Sequence, residues 1–111
     1  MKVAVVKLSQ QFGVKCLKKR PCLIIEQSKK HAKVCMYTHK PMGGENNVGI
    51  VYARRHRHNN SWLDLGEVFI IRNEYIAYTC ETINPIFAQE IKKELNKLKG
   101  KQIIHCVNYE N

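Results

Sequence analysis

Two short clusters in the chain combine residue types that act on phosphate esters. Arg20 stands before Pro21 at the head of one apolar run, and Thr38-His39 closes the next. A guanidinium offers forked donors to phosphate oxygens, a hydroxyl adds another donor, and an imidazole exchanges protons near neutral pH. If the two runs pair as a hairpin, Arg20 and Thr38 come from opposite ends of the pairing and meet near one rim. Arg20, Thr38 and His39 held there would suit metal-free RNA cleavage, in which a 2′-OH attacks the adjacent phosphate.

The second cluster is Arg54-Arg55-His56-Arg57-His58, with Tyr52 before it and Trp62 after it. Arginine forks suit phosphates, and the two aromatic rings are placed to stack on unpaired bases. Lys18 and Lys19 beside Arg20, and Lys40 beside His39, extend the same charge. These residues form the candidate RNA-binding set. The competing reading is a solvated basic loop with Trp62 in the core.

Other chemistries find less support. Cys35 and His39, His56 and His58, and His105 and Cys106 are close in sequence, but no Cys-x-x-Cys or His-Glu-x-x-His pair anchors them. No metal site is expected. No cysteine has an activating neighbour, so a thiolate nucleophile is not expected either. Gly43-Gly44 lacks the strand-to-helix setting of a phosphate loop, and no cofactor is expected.

The bulk composition agrees with a polyanionic partner. Lys and Arg number 19 against 9 Asp and Glu, a net charge of +10 over 111 residues. Such an excess favours nucleic acid through phosphate contacts and counterion release; the other partner it suits is an acidic protein. An apolar fraction of 44% with 25% charged residues is that of an ordinary globular chain, and the length suits a single domain over 1–111. No apolar stretch approaches the ~20 residues that span a bilayer, and Lys7 breaks the first apolar run before a secretory core forms. The five cysteines are odd in number, have no framework spacing and mostly sit in apolar runs, as buried thiols do. A cytoplasmic protein without membrane contact is expected.

The elements that must position these residues are short. Val3 to Leu8, Cys22 to Ile25 and Ala32 to Thr38 read as strands, with Ser28 to His31 as a polar turn. Pro21 at the first residue of the second strand costs no needed donor. Between His39 and Ser61, breaker residues predict a long loop around one short edge strand, Val48 to Ala53. Trp62 to Leu65 and Val68 to Ile71 are two neighbouring strands, or one strand with a bulge at Gly66-Glu67. Tyr75 to Thr79 fits strand or short helix. Asn84 as N-cap, Pro85 at the first helical position and Phe87, Ile91, Leu95 and Leu98 at helical spacing predict a helix closed by Gly100. Gln102 to Val107 reads as a last strand. The sum is a mainly β, α+β domain, a small bent sheet or barrel capped by one helix.

In this order the pieces resemble the MazF/PemK toxins of type II toxin-antitoxin systems. The shared features are Val5-Val6-Lys7-Leu8, a Gln/Gly-containing loop, Lys19-Arg20-Pro21 before Cys22-Leu23-Ile24-Ile25, and a strand ending in Thr38-His39. Ser61 to Leu65, Val68 to Ile71 and a helix beginning at Ile83-Asn84-Pro85 follow. The resemblance implies an SH3-like barrel, a homodimer, and a metal-independent endoribonuclease neutralised by an acidic antitoxin protein. It gives Arg20 the contact with the scissile phosphate and Thr38 a share in holding it; His39 is read from the residues alone. Where the family carries an acidic residue, Gln and an Arg-Thr pair, this chain has Gly66-Glu67-Val68-Phe69-Ile70. The segment Lys101 to Asn111 lies beyond the family pattern. Three functions are therefore expected in order: an endoribonuclease acting on single-stranded RNA, a non-catalytic nucleic-acid-binding module, and a toxin of related fold that inhibits a protein.

Overall fold

A computed structural model describes residues 1–7, 19–38, 50–56 and 59–106, with the backbone alone for 50–56, 59 and 60. In chain order these form β1 (Lys2–Lys7), β2 (Lys19–Gln27), β3 (His31–Thr38), β4 (Ile50–His56), β5 (Asn59–Asp64), β6 (Glu67–Arg72), a 3₁₀ turn (Asn73–Tyr75), β7 (Ile76–Thr82), α1 (Pro85–Lys97) and β8 (Ile103–Cys106). The architecture is mainly β with one helix.

The sheet is mixed and open, in the order β4-β5-β3-β2-β1-β7, and it branches at β3. The outer edge of β3 is divided: His31 to Val34 pair with β6, and Tyr37 and Thr38 pair with β5. Strands β5 and β6 thus run on from one another along β3, broken at Leu65-Gly66. This is nearer to one interrupted strand than to two neighbours. The parallel partner β8 lies on the other side of β6, reached through β7 and α1.

Alternation sorts the apolar residues into two clusters. Val3, Leu23, Cys35, Tyr37, Leu63, Leu65 and Val68 pack with Ile91 and Leu98 of the helix. Ala4, Val6, Cys22, Ile24, Ala32, Val34, Phe69 and Ile71 form the second cluster on the opposite side. Because side chains alternate across a strand, the unbroken run Cys22-Leu23-Ile24 fills both clusters at once. Its continuity in the sequence is the signature of burial on both faces.

The helix forms where the spacing places it. Asn84 Oδ1 accepts the Ile86 amide at 2.8 Å, with Pro85 at the first position. Ile91 and Leu98 are buried, and Phe87 and Leu95 pack beside them. The last turn closes on Leu98, whose amide donates to Glu94 O at 3.1 Å. Gly100 follows at φ +78°, the left-handed conformation that glycine adopts most cheaply, and turns the chain towards β8.

One correction to the sequence reading, and the settling of one choice it left open, arise here. Arg54, Arg55 and His56, expected in a loop, belong to β4, which pairs with β5 from Ile50↔Asp64 to His56↔Asn59. The segment Ile76–Thr82 is strand, not helix, because β1 supplies its ladder. Ile91→Ala should lower unfolding stability in denaturant by about 2–5 kcal/mol, the cost of a large-to-small core change. Ile86→Ala, at a position 70% exposed, should stay within about 0.5 kcal/mol.

Candidate nucleic-acid interface

The β2–β3 register determines what the rim can assemble. Cys22 pairs with Met36, Leu23 with Cys35 and Ile24 with Val34. The β2–β3 ladder ends at Cys22 and Met36; the same register carried two residues further would set Arg20 opposite Thr38. On the other side of β2, Arg20 pairs with Val6; beyond β3, Thr38 pairs with Trp62, and Trp62 with Tyr52. Thr38, Trp62 and Tyr52 therefore form a row across three strands, and Val6 and Arg20 another across two, with paired neighbours ~5 Å apart.

Residues directly opposite share a face of the sheet. Val6 belongs to the second cluster, so Arg20 and Thr38 lie at the margin of that side, away from the helix. Arg20 and Lys19 are exposed, and Thr38 and Trp62 are half-buried. Arg20 lies near enough to bear on its neighbour Cys22, whose thiol donates weakly to Arg20 O at 3.7 Å. Burial pushes the Cys22 thiol far up, the buried Cys35 raises it further, and the Arg20 charge pulls it partly back. The Cys35 thiol is pushed up to about 12 by burial, with Asp64 adding to the shift. Neither thiol can serve as a nucleophile near neutral pH.

Of the sequence-derived candidates, Thr38 and Trp62 are cross-strand partners, and Arg20 stands on the neighbouring strand, paired with Val6. Arg54, Arg55 and His56 follow Tyr52 along β4, so their backbone continues from the row of Thr38, Trp62 and Tyr52 towards the β4–β5 turn. Lys18, His39, Lys40, Arg57 and His58 lie outside the described residues. Tyr52 and Trp62, ten residues apart in sequence, are direct cross-strand partners.

Sequence reasoning overlooked a titratable chain at the β5–β6 corner. Asp64 Oδ1 accepts the Gly66 amide at 2.9 Å. Partial burial raises the Asp64 carboxyl above its ordinary value; the Gly66 hydrogen bond opposes this, and Glu67 adds to it. His105 Nε2 lies 3.2 Å from Glu67 Oε1, and the His105 ring stacks on Phe69 at 4.6 Å and 14°. Asp64, Glu67 and Phe69 are close in sequence, but His105 joins them only when β8 pairs with β6, and no spacing signal announces it. Among the described residues no three His, Cys, Asp or Glu are grouped to hold a metal ion.

The fold and rim define a small, mainly β domain with one helix and a basic, aromatic-bearing edge. No protein-family model and no curated protein matches the chain. No helix among the described residues is long and apolar enough to cross a membrane.

Two outcomes follow from the burial of these groups. Peptide mapping after brief treatment with a thiol reagent should find the exposed Cys80 and Cys106 labelled, and Cys22 and Cys35 labelled only after unfolding. For Asp64, a raised folded pKa means that the native state holds the proton to higher pH than the unfolded chain. Its contribution is therefore fully present below the unfolded value and is lost as pH rises through the folded one. Compared with Asp64→Asn, which keeps an oxygen for the Gly66 amide, the wild type should lose relative stability as pH climbs from about 4. Denaturant midpoints that move in parallel for the two proteins would contradict this.

Proposed function

We propose that the protein is a toxin-type, metal-independent endoribonuclease acting on single-stranded RNA, built on an SH3-like barrel of the MazF/PemK kind. The observation that carries the reading is that the exposed Arg20 opens β2, the strand beside β3, whose last residue Thr38 pairs with Trp62 and Trp62 with Tyr52. A substrate 2′-OH attacks the adjacent phosphorus, the 5′-oxygen leaves with a proton, and the products carry a 2′,3′-cyclic phosphate and a 5′-hydroxyl. Arg20 meets the extra negative charge that the phosphorane gains, which is where a fixed cation accelerates the step most. Thr38 orients the phosphate, Trp62 stacks on a neighbouring base, and His39 takes or returns a proton. Lys18, Lys19, Lys40 and the Arg54–His58 run hold the flanking backbone. A homodimer, neutralised by an acidic antitoxin protein in the cytoplasm, completes this reading.

One observation favours the second reading, a nucleic-acid-binding module without cleavage. Where the resembling family carries its Arg-Thr pair, this chain has Phe69, buried and stacked on His105, followed by Ile70, half-buried. A cation of the related sites is thus replaced by packing.

The two separate in one experiment, with purified protein, a long unstructured RNA and excess EDTA. The nuclease yields fragments ending in cyclic phosphate, and Arg20→Ala slows their appearance by about 10²–10³ while RNA affinity falls only severalfold. Intact RNA under conditions of demonstrated binding leaves the module.

A further inference from the structure

The β2–β3 turn is held with a rigour that its exposure does not require. Asn73, at the start of the 3₁₀ turn, reaches back across 45 residues, and its Nδ2 donates to Ser28 O at 2.9 Å. The same nitrogen donates to Lys29 O at 3.0 Å. The Asn73 amide donates to Lys30 O at 2.9 Å, and its Oδ1 accepts from Gln27 Nε2 at 3.0 Å. The turn also closes on itself: the Ser28 amide donates to His31 O at 2.8 Å, and the His31 amide donates to Ser28 Oγ at 3.2 Å.

Three consecutive carbonyl oxygens, those of Ser28, Lys29 and Lys30, are therefore engaged by a single asparagine. Carbonyl oxygens repel anions; with these three occupied, the exposed Lys29 and Lys30 carry the charge that the turn offers to solvent. The other nearby charges are compensated: Lys33 meets Glu26 at 3.3 Å and Arg72 meets Glu74 at 3.1 Å. Lys29 and Lys30, both exposed, form no ion pair among the described residues. Two adjacent cations mounted on a fixed backbone lose less freedom on binding a phosphate than the same cations on a loose loop.

We propose that this turn is a second phosphate-binding site, at the end of the β2–β3 pair opposite Arg20 and Thr38, and that it receives the distal backbone of the bound RNA. The inference rests on the RNA reading above and deepens it. Nine residue steps along β2 and its turn lead from Arg20 to Lys29, roughly 25–30 Å of extended chain. A mononucleotide or a very short oligonucleotide cannot touch both. The substrate class is then a single strand long enough to follow the molecule from rim to turn, with Asn73 as a positioning residue.

The test compares wild type with Lys29→Ala/Lys30→Ala, on a 30-nucleotide unstructured RNA and a 3-nucleotide RNA, over a salt series. The two lysines lie on the surface, and an unchanged unfolding midpoint verifies the fold. The variant should bind the long RNA on the order of tenfold more weakly, with a salt slope reduced by about 1.4, the value for two phosphate contacts on a single strand. Its affinity for the short RNA should not change. Equal losses on both RNAs, or none on either, overturn the proposal.

An NMR titration with tripolyphosphate separates this failure from that of the RNA reading. Shifts at the Lys29 and Lys30 amides, in a wild type that binds neither RNA, would keep the anion site and remove RNA as its ligand. Absence of both RNA binding and those shifts would remove the site and the reading together.

Discussion

A strand buried on both faces cannot tolerate a register error, and β2 and β3 are both of this kind. A slip of one residue would exchange Cys22 and Ile24 with Leu23 between two clusters of different shape, and would do the same to Val34 and Cys35. The rest of the sheet is referred to this pair. β1 pairs along β2, and β5 and β6 divide the far edge of β3 between them. The helix covers only the first cluster, through Ile91 and Leu98. The placement of Arg20 is thus a by-product of core packing: once Leu23 faces the helix, Arg20 has one place to stand.

The same pair gives the molecule its two charged ends. At one end the chain enters β2 through Lys19 and Arg20 and leaves β3 through Thr38; at the other it turns through Lys29 and Lys30. Both ends are basic, and the strands between them are mainly apolar, with the Lys33–Glu26 pair as a compensated exception. A polyanion is therefore offered cations at the extremities of a rigid spacer. Between Asn73 and Ile91 the sequence contains Glu74, Glu81 and Glu90 and no lysine or arginine. This segment gives the turn, β7 and the first half of α1 a different electrostatic character from the rest of the protein.

Much of this was legible in the sequence where a single segment held the information. The run Cys22 to Ile25 announced a buried strand, and Asn84-Pro85 with Phe87, Ile91, Leu95 and Leu98 announced the helix with its cap. Features that arise between segments were not legible. Arg54 to His56 carry no strand signal of their own and are drawn into β4 by the ladder of β5, as tertiary pairing overrides local preference. Tyr75 to Thr79 were undecidable because β7 depends on β1. The polar turn at Ser28 was evident, whereas the asparagine that grips it lies beyond β6. For the candidate site, residue types pointed to Arg20, Thr38 and Trp62, and only the register showed that Thr38, Trp62 and Tyr52 are cross-strand partners. His105 looked like a neighbour of Cys106; parallel pairing made it a neighbour of Glu67 and Phe69.

The placement of Cys22 and Cys35 carries a covalent consequence. The two are near neighbours on adjacent strands, yet Cys22 pairs with Met36 and Cys35 with Leu23, so their sulfurs belong to opposite faces of the sheet. A disulfide needs Cβ atoms about 4 Å apart and directed at one another, and the sheet itself stands between these two. Oxidation cannot join them unless one strand is turned over, which would empty both clusters of their apolar contacts. The strand pair on which the fold depends is closed to stapling, and its sulfur atoms serve as volume.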